Sequence, residues 1–232
     1  MGEVRTLRRG AWRRRPGIIL AAVSLACPVV AQAASANWTG GDSKYGTFSQ
    51  PNNWGGTLPA NDGTAALLFA SANPHGYSPT LDGNFDASSL TFNTSALSYN
   101  IVTNGSGYSG TLTLESGGLN DNATNPEMIT GSSPVVIKSS QTWNVAGGAF
   151  TDSTPVNLSN SVLTVHTNVS SGSATFTGAL TGVPGSASLV KTGPGLLNLN
   201  ASGSVVANVM LQAGTTQVSG GLWSSAHRPA PQ

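Results

Sequence analysis

The sequence predicts an all-β chain, a right-handed parallel β-helix (β-solenoid) with an aromatic-rich N-terminal cap. Short runs in which aliphatic and polar residues alternate recur from Leu67 to Val218, the period of half-buried strands. Each run is bounded by Gly, Pro, Ser, Asn or Asp, and the chain holds 29 Gly and 13 Pro. Only 8% of residues are charged, too few for long amphipathic helices, which draw on Glu, Lys and Arg.

Residues 1–33 read as a secretory signal peptide. A basic run holds Arg8, Arg9, Arg13, Arg14 and Arg15, an apolar stretch covers 17–30, and Ala31-Gln32-Ala33 is a small-x-small cleavage site. Ala34-Ser35-Ala36 offers a second cut. The apolar stretch is shorter than the roughly 20 residues a transmembrane helix needs, so no membrane-spanning segment is expected in the mature chain. The formal net charge of +1 is misleading, because six arginines against Glu3 put +5 in this leader and leave −4 on the rest. A mature chain of that sign has no patch for nucleic acid. Cys27, the single cysteine, falls in the leader, which leaves no disulfide or thiol chemistry. His75, His166 and His227 are far apart, so no metal and no cofactor is expected.

Residues 34–86 read as the N-terminal cap and first coils. Trp38-Thr39-Gly40-Gly41, Asn53-Trp54-Gly55-Gly56 and Asp62-Gly63 are turn-rich, and Ala65-Ala66-Leu67-Leu68-Phe69 is the first strong strand. The end coil of a solenoid has a face that no neighbouring coil covers, and Trp offers the largest area to close it. The rival reading makes Trp38 and Trp54, with Tyr45 and Phe48, a flat platform for stacking on sugars.

Residues 87–221 read as the solenoid. Gly105-Ser106-Gly107-Tyr108-Ser109-Gly110 spells G-x-G-x-x-G, but the alternating strand Thr111-Leu112-Thr113-Leu114-Glu115 follows where a dinucleotide fingerprint needs a helix. Strand runs continue at Val135-Val136-Ile137, Gln141-Thr142-Trp143-Asn144-Val145, Val162-Leu163-Thr164-Val165 and Ala174-Thr175-Phe176. Asp121, Glu127 and Asp152 have no basic neighbour in sequence and read as turn residues or solvated side chains.

The spacing is clearest over residues 189–218. Lys191-Thr192-Gly193-Pro194-Gly195 reads as a turn, Leu197 and Leu199 as the inward residues of a strand with Asn198 outward, Val209 and Leu211 as a second inward pair, and Ala213-Gly214 as the next turn. This run resembles the autotransporter-associated β-strand repeat of bacterial surface proteins, roughly K-x-G-x-G-x-L-x-L followed by x-V-x-x-G-x-L-x-V. Lys191, Gly193, Gly195, Leu197, Leu199, Leu211, Gly214 and Val218 carry the likeness, while Thr216 stands where Leu is common. The Trp-rich opening is similar to segments that precede such repeats. The resemblance implies a scaffold and no particular chemistry. Residues 222–232 show no strand alternation and read as an unstructured tail.

The function expected is that of a secreted or cell-surface structural or adhesive protein of a bacterium, not an enzyme, with polysaccharide or cell-surface components as partners and self-association through an open C-terminal edge. The alternative is a carbohydrate-binding module using exposed Trp. A polysaccharide-degrading enzyme is less favoured: on one strand Asp82 and Asp86 stand some ~13 Å apart, beyond the spacing of a glycosidase acid pair.

Overall fold

The computed structural model describes residues 34–42, 46–70, 77–93, 97–105, 107–204 and 208–220. The leader 1–33, Tyr45, His75, Ser106 and the tail 222–232 lie outside the described residues. Among the described residues nearly all regular structure is strand, and the 3-10 turn Pro51–Trp54 is the one helical element.

The strands stack as a parallel β-solenoid of about six turns. One ladder runs β1 (Ala34–Trp38), β2 (Ala65–Phe69), β3 (Phe85–Phe92), β7 (Leu112–Asp121), β10 (Gln141–Val145), β13 (Val162–Thr167), β16 (Ser188–Thr192) and β18 (Asn208–Leu211). A second runs β4 (Asn100–Val102), β8 (Glu127–Thr130), β11 (Ala149–Asp152), β14 (Ser173–Phe176), β17 (Leu196–Leu199) and β19 (Thr215–Val218). A shorter third face continues from the first halves of β3 and β7 into β9 (Val135–Ile137), β12 (Val156–Asn157) and β15 (Leu180–Thr181). Strands β3 and β7 reach both faces because they bend at a corner, where their register shifts between Ala87 and Ser89. The G-x-G-x-x-G segment contributes a small antiparallel hairpin, β5 (Asn104–Gly105) with β6 (Tyr108–Ser109).

Parallel, in-register pairing turns the period-2 pattern into columns. Each inward residue stands over its counterpart one turn away, at the interstrand spacing of roughly 4.8 Å. Leu67, Leu90, Leu119, Trp143 and Val165 form one such column, all at most 1% exposed. Trp38, Phe69 and Phe92 form another, with ring centroids 5.8 and 5.7 Å apart. The aromatic series continues through Phe150, Trp143 and Phe176 at 5.7 and 5.5 Å. At the β1 end Trp38, Phe48, Trp54 and Phe69 close on one another edge-on and tilted, and the Trp54 indole N–H donates to the Phe48 carbonyl at 2.8 Å. Turn length is variable: along the first ladder it runs from the 31 residues that separate Ala36 from Leu67 to the 20 that separate Lys191 from Leu211.

Two expectations need correction at the far end of the stack. Lys191 and Thr192 belong to β16, and the turn starts only at Gly193, whose φ of +75° suits a residue without Cβ. Leu211, expected inside with Val209, is 41% exposed, and Val209 is only partly buried. The cause is position: among the described residues β18 pairs with β16 alone, so no further turn covers its inward side.

The register is testable at neighbouring positions of β17. Leu199 is fully buried, whereas Asn198 points outward and donates to Thr175 Oγ1 at 3.2 Å. Leu199→Ala is expected to cost about 2–5 kcal/mol and Asn198→Ala less than about 1 kcal/mol. Denaturant midpoints of the two variants measure this, and equal losses would refute the register.

Candidate functional site

Outward positions of β8, β11, β14, β17 and β19 fall in straight rows, because the register of the inward columns fixes them too. One row at the strand starts reads Ala149, Ser173, Leu196, Thr215, and beyond it lie two rows that are mostly polar. The first of these two reads Met128, Thr151, Thr175, Asn198, Gln217. The second, one inward residue further along each strand, reads Thr130, Ser153, Thr177, Asn200, Ser219, held in step by the backbone bonds that continue the ladder past the strand ends. Within a strand the rows lie about 6.6 Å apart, and along the stack successive groups lie about 4.8 Å apart. The side chains bond within the grid: Asn198 to Thr175, the Ser219 hydroxyl to Asn200 Oδ1 at 2.6 Å, and the Thr130 hydroxyl to Asn100 Oδ1 at 2.8 Å. No charged residue stands in either row. The outer face of the first ladder is less regular: Asn144 donates to Asn120 at 3.1 Å and His166 Nδ1 lies 2.8 Å from the Thr192 hydroxyl, but Ala66 and Gly118 interrupt its rows.

The charged groups lie elsewhere, and several are inside. Lys191 takes the column position that Leu119, Trp143 and Val165 hold in earlier turns. It is fully buried, and its Nζ donates to Thr167 Oγ1 at 2.9 Å and to the carbonyls of Thr192, Gly193 and Ala213 at 2.5, 2.8 and 3.4 Å. These acceptors come from three successive turns, so the ammonium ties one corner of the stack together. Burial pushes it below the usual lysine range. Gly193 and Gly214 line the same corner, and a Cβ on Gly214 would lie 2.3 Å from the Gly193 carbonyl oxygen. Lys191-Thr192-Gly193 is thus a corner fastening. Gly195 is buried just before β17, Leu197 and Leu199 are core, and Val218 is 52% exposed on the last strand.

Asp121, Glu127 and Asp152, expected at turns or in solvent, are all fully buried at inward column positions. The two aspartates do cap turns, from inside: Asp121 Oδ1 accepts the Ala123 N–H at 3.0 Å, and Asp152 Oδ1 accepts the Thr154 N–H at 2.8 Å and its hydroxyl at 2.6 Å. Glu127 Oε2 accepts the Tyr99 N–H at 2.5 Å. The other oxygen of each acid has no hydrogen-bond partner. Burial pushes Asp121 and Asp152 up to about 7, and burial with the added charge of Asp121 pushes Glu127 up to about 8. Period 2 counted from Leu119, Ile129 and Phe150 puts all three inward, but a column position is recognised by apolar residues and these acids break that pattern.

Of the remaining acids, Asp82 has a different partner from Asp86 and Glu115. Asp82 accepts the Ser49 N–H at 3.1 Å and binds the Ser49 hydroxyl, whereas Asp86 and Glu115 both sit on Lys138, at 3.1 and 2.5 Å. Lys138 thus links three rungs at an outer corner. Among the described residues no group of three His, Cys, Asp or Glu is placed to hold a metal ion. Trp38 and Trp54, the expected sugar platform, are 0% and 6% exposed and pack edge to face at 4.9 Å, so neither ring presents a face to a ligand. Trp143 is 1% exposed and its indole N–H donates to Gln141. No family model matches the chain, and no curated protein or solved structure matches it either.

The buried acids make stability depend on pH. Each has a folded pKa above its unfolded value of 3.8 or 4.5, so folding takes up protons. Their contribution is fully present below about pH 4 and is lost as pH rises towards 8, by at most about 1.4 kcal/mol per pH unit for each acid. Urea midpoints between pH 4.5 and 8.5 are expected to fall, and Glu127→Gln, which keeps the shape and removes the titration, is expected to flatten the fall. A midpoint that rises with pH would show that these carboxyls are ionised in the fold.

Proposed function

We propose that the chain is an exported structural or adhesive β-solenoid of a bacterial cell surface, using its outer faces as binding surface and its interior only as scaffold. The observation that carries this reading is the division of chemistry: from Thr130 and Thr151 to Ser219 the two outer rows are hydroxyls and amides, with Met128 the one apolar member, while Lys191, Asp121, Glu127 and Asp152 are turned inward. Hydroxyls and amides recognise many partners by hydrogen bonding and need a base or acid beside them to catalyse. The basic, apolar and small-residue segments of 1–33 support export, and the likeness of residues 189–218 to the autotransporter-associated repeat supports a surface location.

The carbohydrate-binding reading through Trp38 and Trp54 loses its footing with the burial of those rings. A role in carbohydrate binding then passes to the polar rows. Among the described residues no helix is long and apolar enough to cross a membrane.

Export is the part of the reading tested first. In a bacterial host the full chain is expected outside the cytoplasm and shortened at its N-terminus, and a version lacking residues 8–33 is expected to stay in the cytoplasm. Fractionation followed by mass measurement distinguishes the two, and normal export of the shortened version would overturn the reading.

A further inference from the structure

We infer that the outer face of β8, β11, β14, β17 and β19 is a docking surface for a neutral, extended polysaccharide laid along the stack. This deepens the adhesive reading above and rests on it only for the setting in which the glycan is met.

The face has three properties that together select such a partner. It is periodic in two directions, with rungs about 4.8 Å apart and rows about 6.6 Å apart: four hydrogen-bonding groups from Thr151 to Gln217, five from Thr130 to Ser219, and a flanking row in which Ser173 and Thr215 alternate with Ala149 and Leu196. A straight β-linked glycan is the common polymer whose hydroxyls recur along a line at a similar interval. The face is also uncharged from Thr130 and Thr151 to Ser219, and the nearest ionisable groups, Glu127 and Asp152, point into the core. A polyanion finds no cation there, and a basic peptide no acid, whereas a neutral glycan needs neither. Finally, the groups are set in advance. Thr175 is β-branched with few rotamers, and Asn198 and Asn200 are each held by a bond to the next rung, so little ordering is left for binding. An Asn side chain has two donors and an acceptor, and the ladder bond uses one of these, which leaves the others for a ligand.

A protein partner is a poorer match. Peptides join sheets mainly at open edges, through backbone groups, and this face presents side chains with its backbone bonds already made. The absence of aromatic rings from both rows means that recognition is by hydrogen bonds repeated over several sugars, and affinity grows with the length of glycan engaged.

The test uses the full chain as secreted, or as purified from the cytoplasm if export fails, so that failure of the export reading leaves this one standing and the reverse. Depletion from solution is measured on microcrystalline cellulose and on crystalline chitin, with polygalacturonate as the anionic comparison. Binding to at least one neutral glycan and not to polygalacturonate is expected. Thr175→Ala with Asn198→Ala is expected to weaken it about tenfold or more, and Thr142→Ala with Thr164→Ala on the other face to change it less than about twofold. Thr177→Glu, an exposed position that would place a charge in the grid, is expected to abolish binding and serves if the double variant does not fold by circular dichroism. No depletion on either neutral glycan, preference for polygalacturonate, or equal loss in the two double variants would overturn the inference. So would a chain that ignores both glycans and instead shapes growing ice crystals, which would make ordered water the partner of the grid.

Discussion

In-register parallel stacking is the constraint from which the rest of this molecule follows. Once Leu67 stands under Leu90 and Leu90 under Leu119, every other residue of those strands is fixed in a column as well, inward or outward. A column places like on like at about 4.8 Å, a distance at which aliphatic chains interlock, rings stack or tilt, and amides bond one another. The Trp38, Phe69 and Phe92 column and the Asn120–Asn144 contact outside are two results of the same register.

The same constraint makes a buried charge costly and also shows where it is tolerated. A charged group in a column has no water, and its neighbours above and below are apolar. Lys191 survives because its ammonium reaches a corner, where carbonyls of Thr192, Gly193 and Ala213 converge and no Cβ stands in the way. The carboxyls have fewer partners. Asp121, Glu127 and Asp152 each engage backbone N–H groups through one oxygen and leave the other unpaired, an arrangement that a protonated carboxyl bears far better than an ionised one.

Alternation along the chain is enough to make the inward aliphatics and rings legible: Leu197, Leu199, Trp143, Val165 and Phe176 are core, and the turn at Ala213-Gly214 is where glycine chemistry puts it. Alternation also misleads in a consistent way. It sorts residues by polarity, so it sends Asp121, Glu127, Asp152 and Lys191 outward or into turns although their positions in the register are inward. It reads Trp38 and Trp54 as either cap or platform, and only the contacts of their rings with Phe48 and Phe69 separate the two. The outer grid is hidden for a different reason. Thr-x-Thr and Asn-x-Asn are commonplace in a chain rich in such residues, and they become a surface only when strands 19 to 24 residues apart are laid side by side.

The two ends of the stack are chemically unequal, and the inequality bears on function. At β1 the rings of Trp38, Phe48 and Trp54 fill the space within the first turn, and none of them is more than 6% exposed. At β18 and β19 the inward side chains Val209 and Thr216 are only partly covered, and Met210, Leu211 and Val218 are 48%, 41% and 52% exposed. A solenoid turn derives most of its burial from the turns on either side, and among the described residues β18 and β19 are held by one neighbour where β14 and β17 have two. The last rung of the outer grid, Gln217 and Ser219, therefore sits on the least supported strand. Binding that spans several rungs would draw its strength from Thr151, Thr175 and Asn198, and would in turn steady the exposed end.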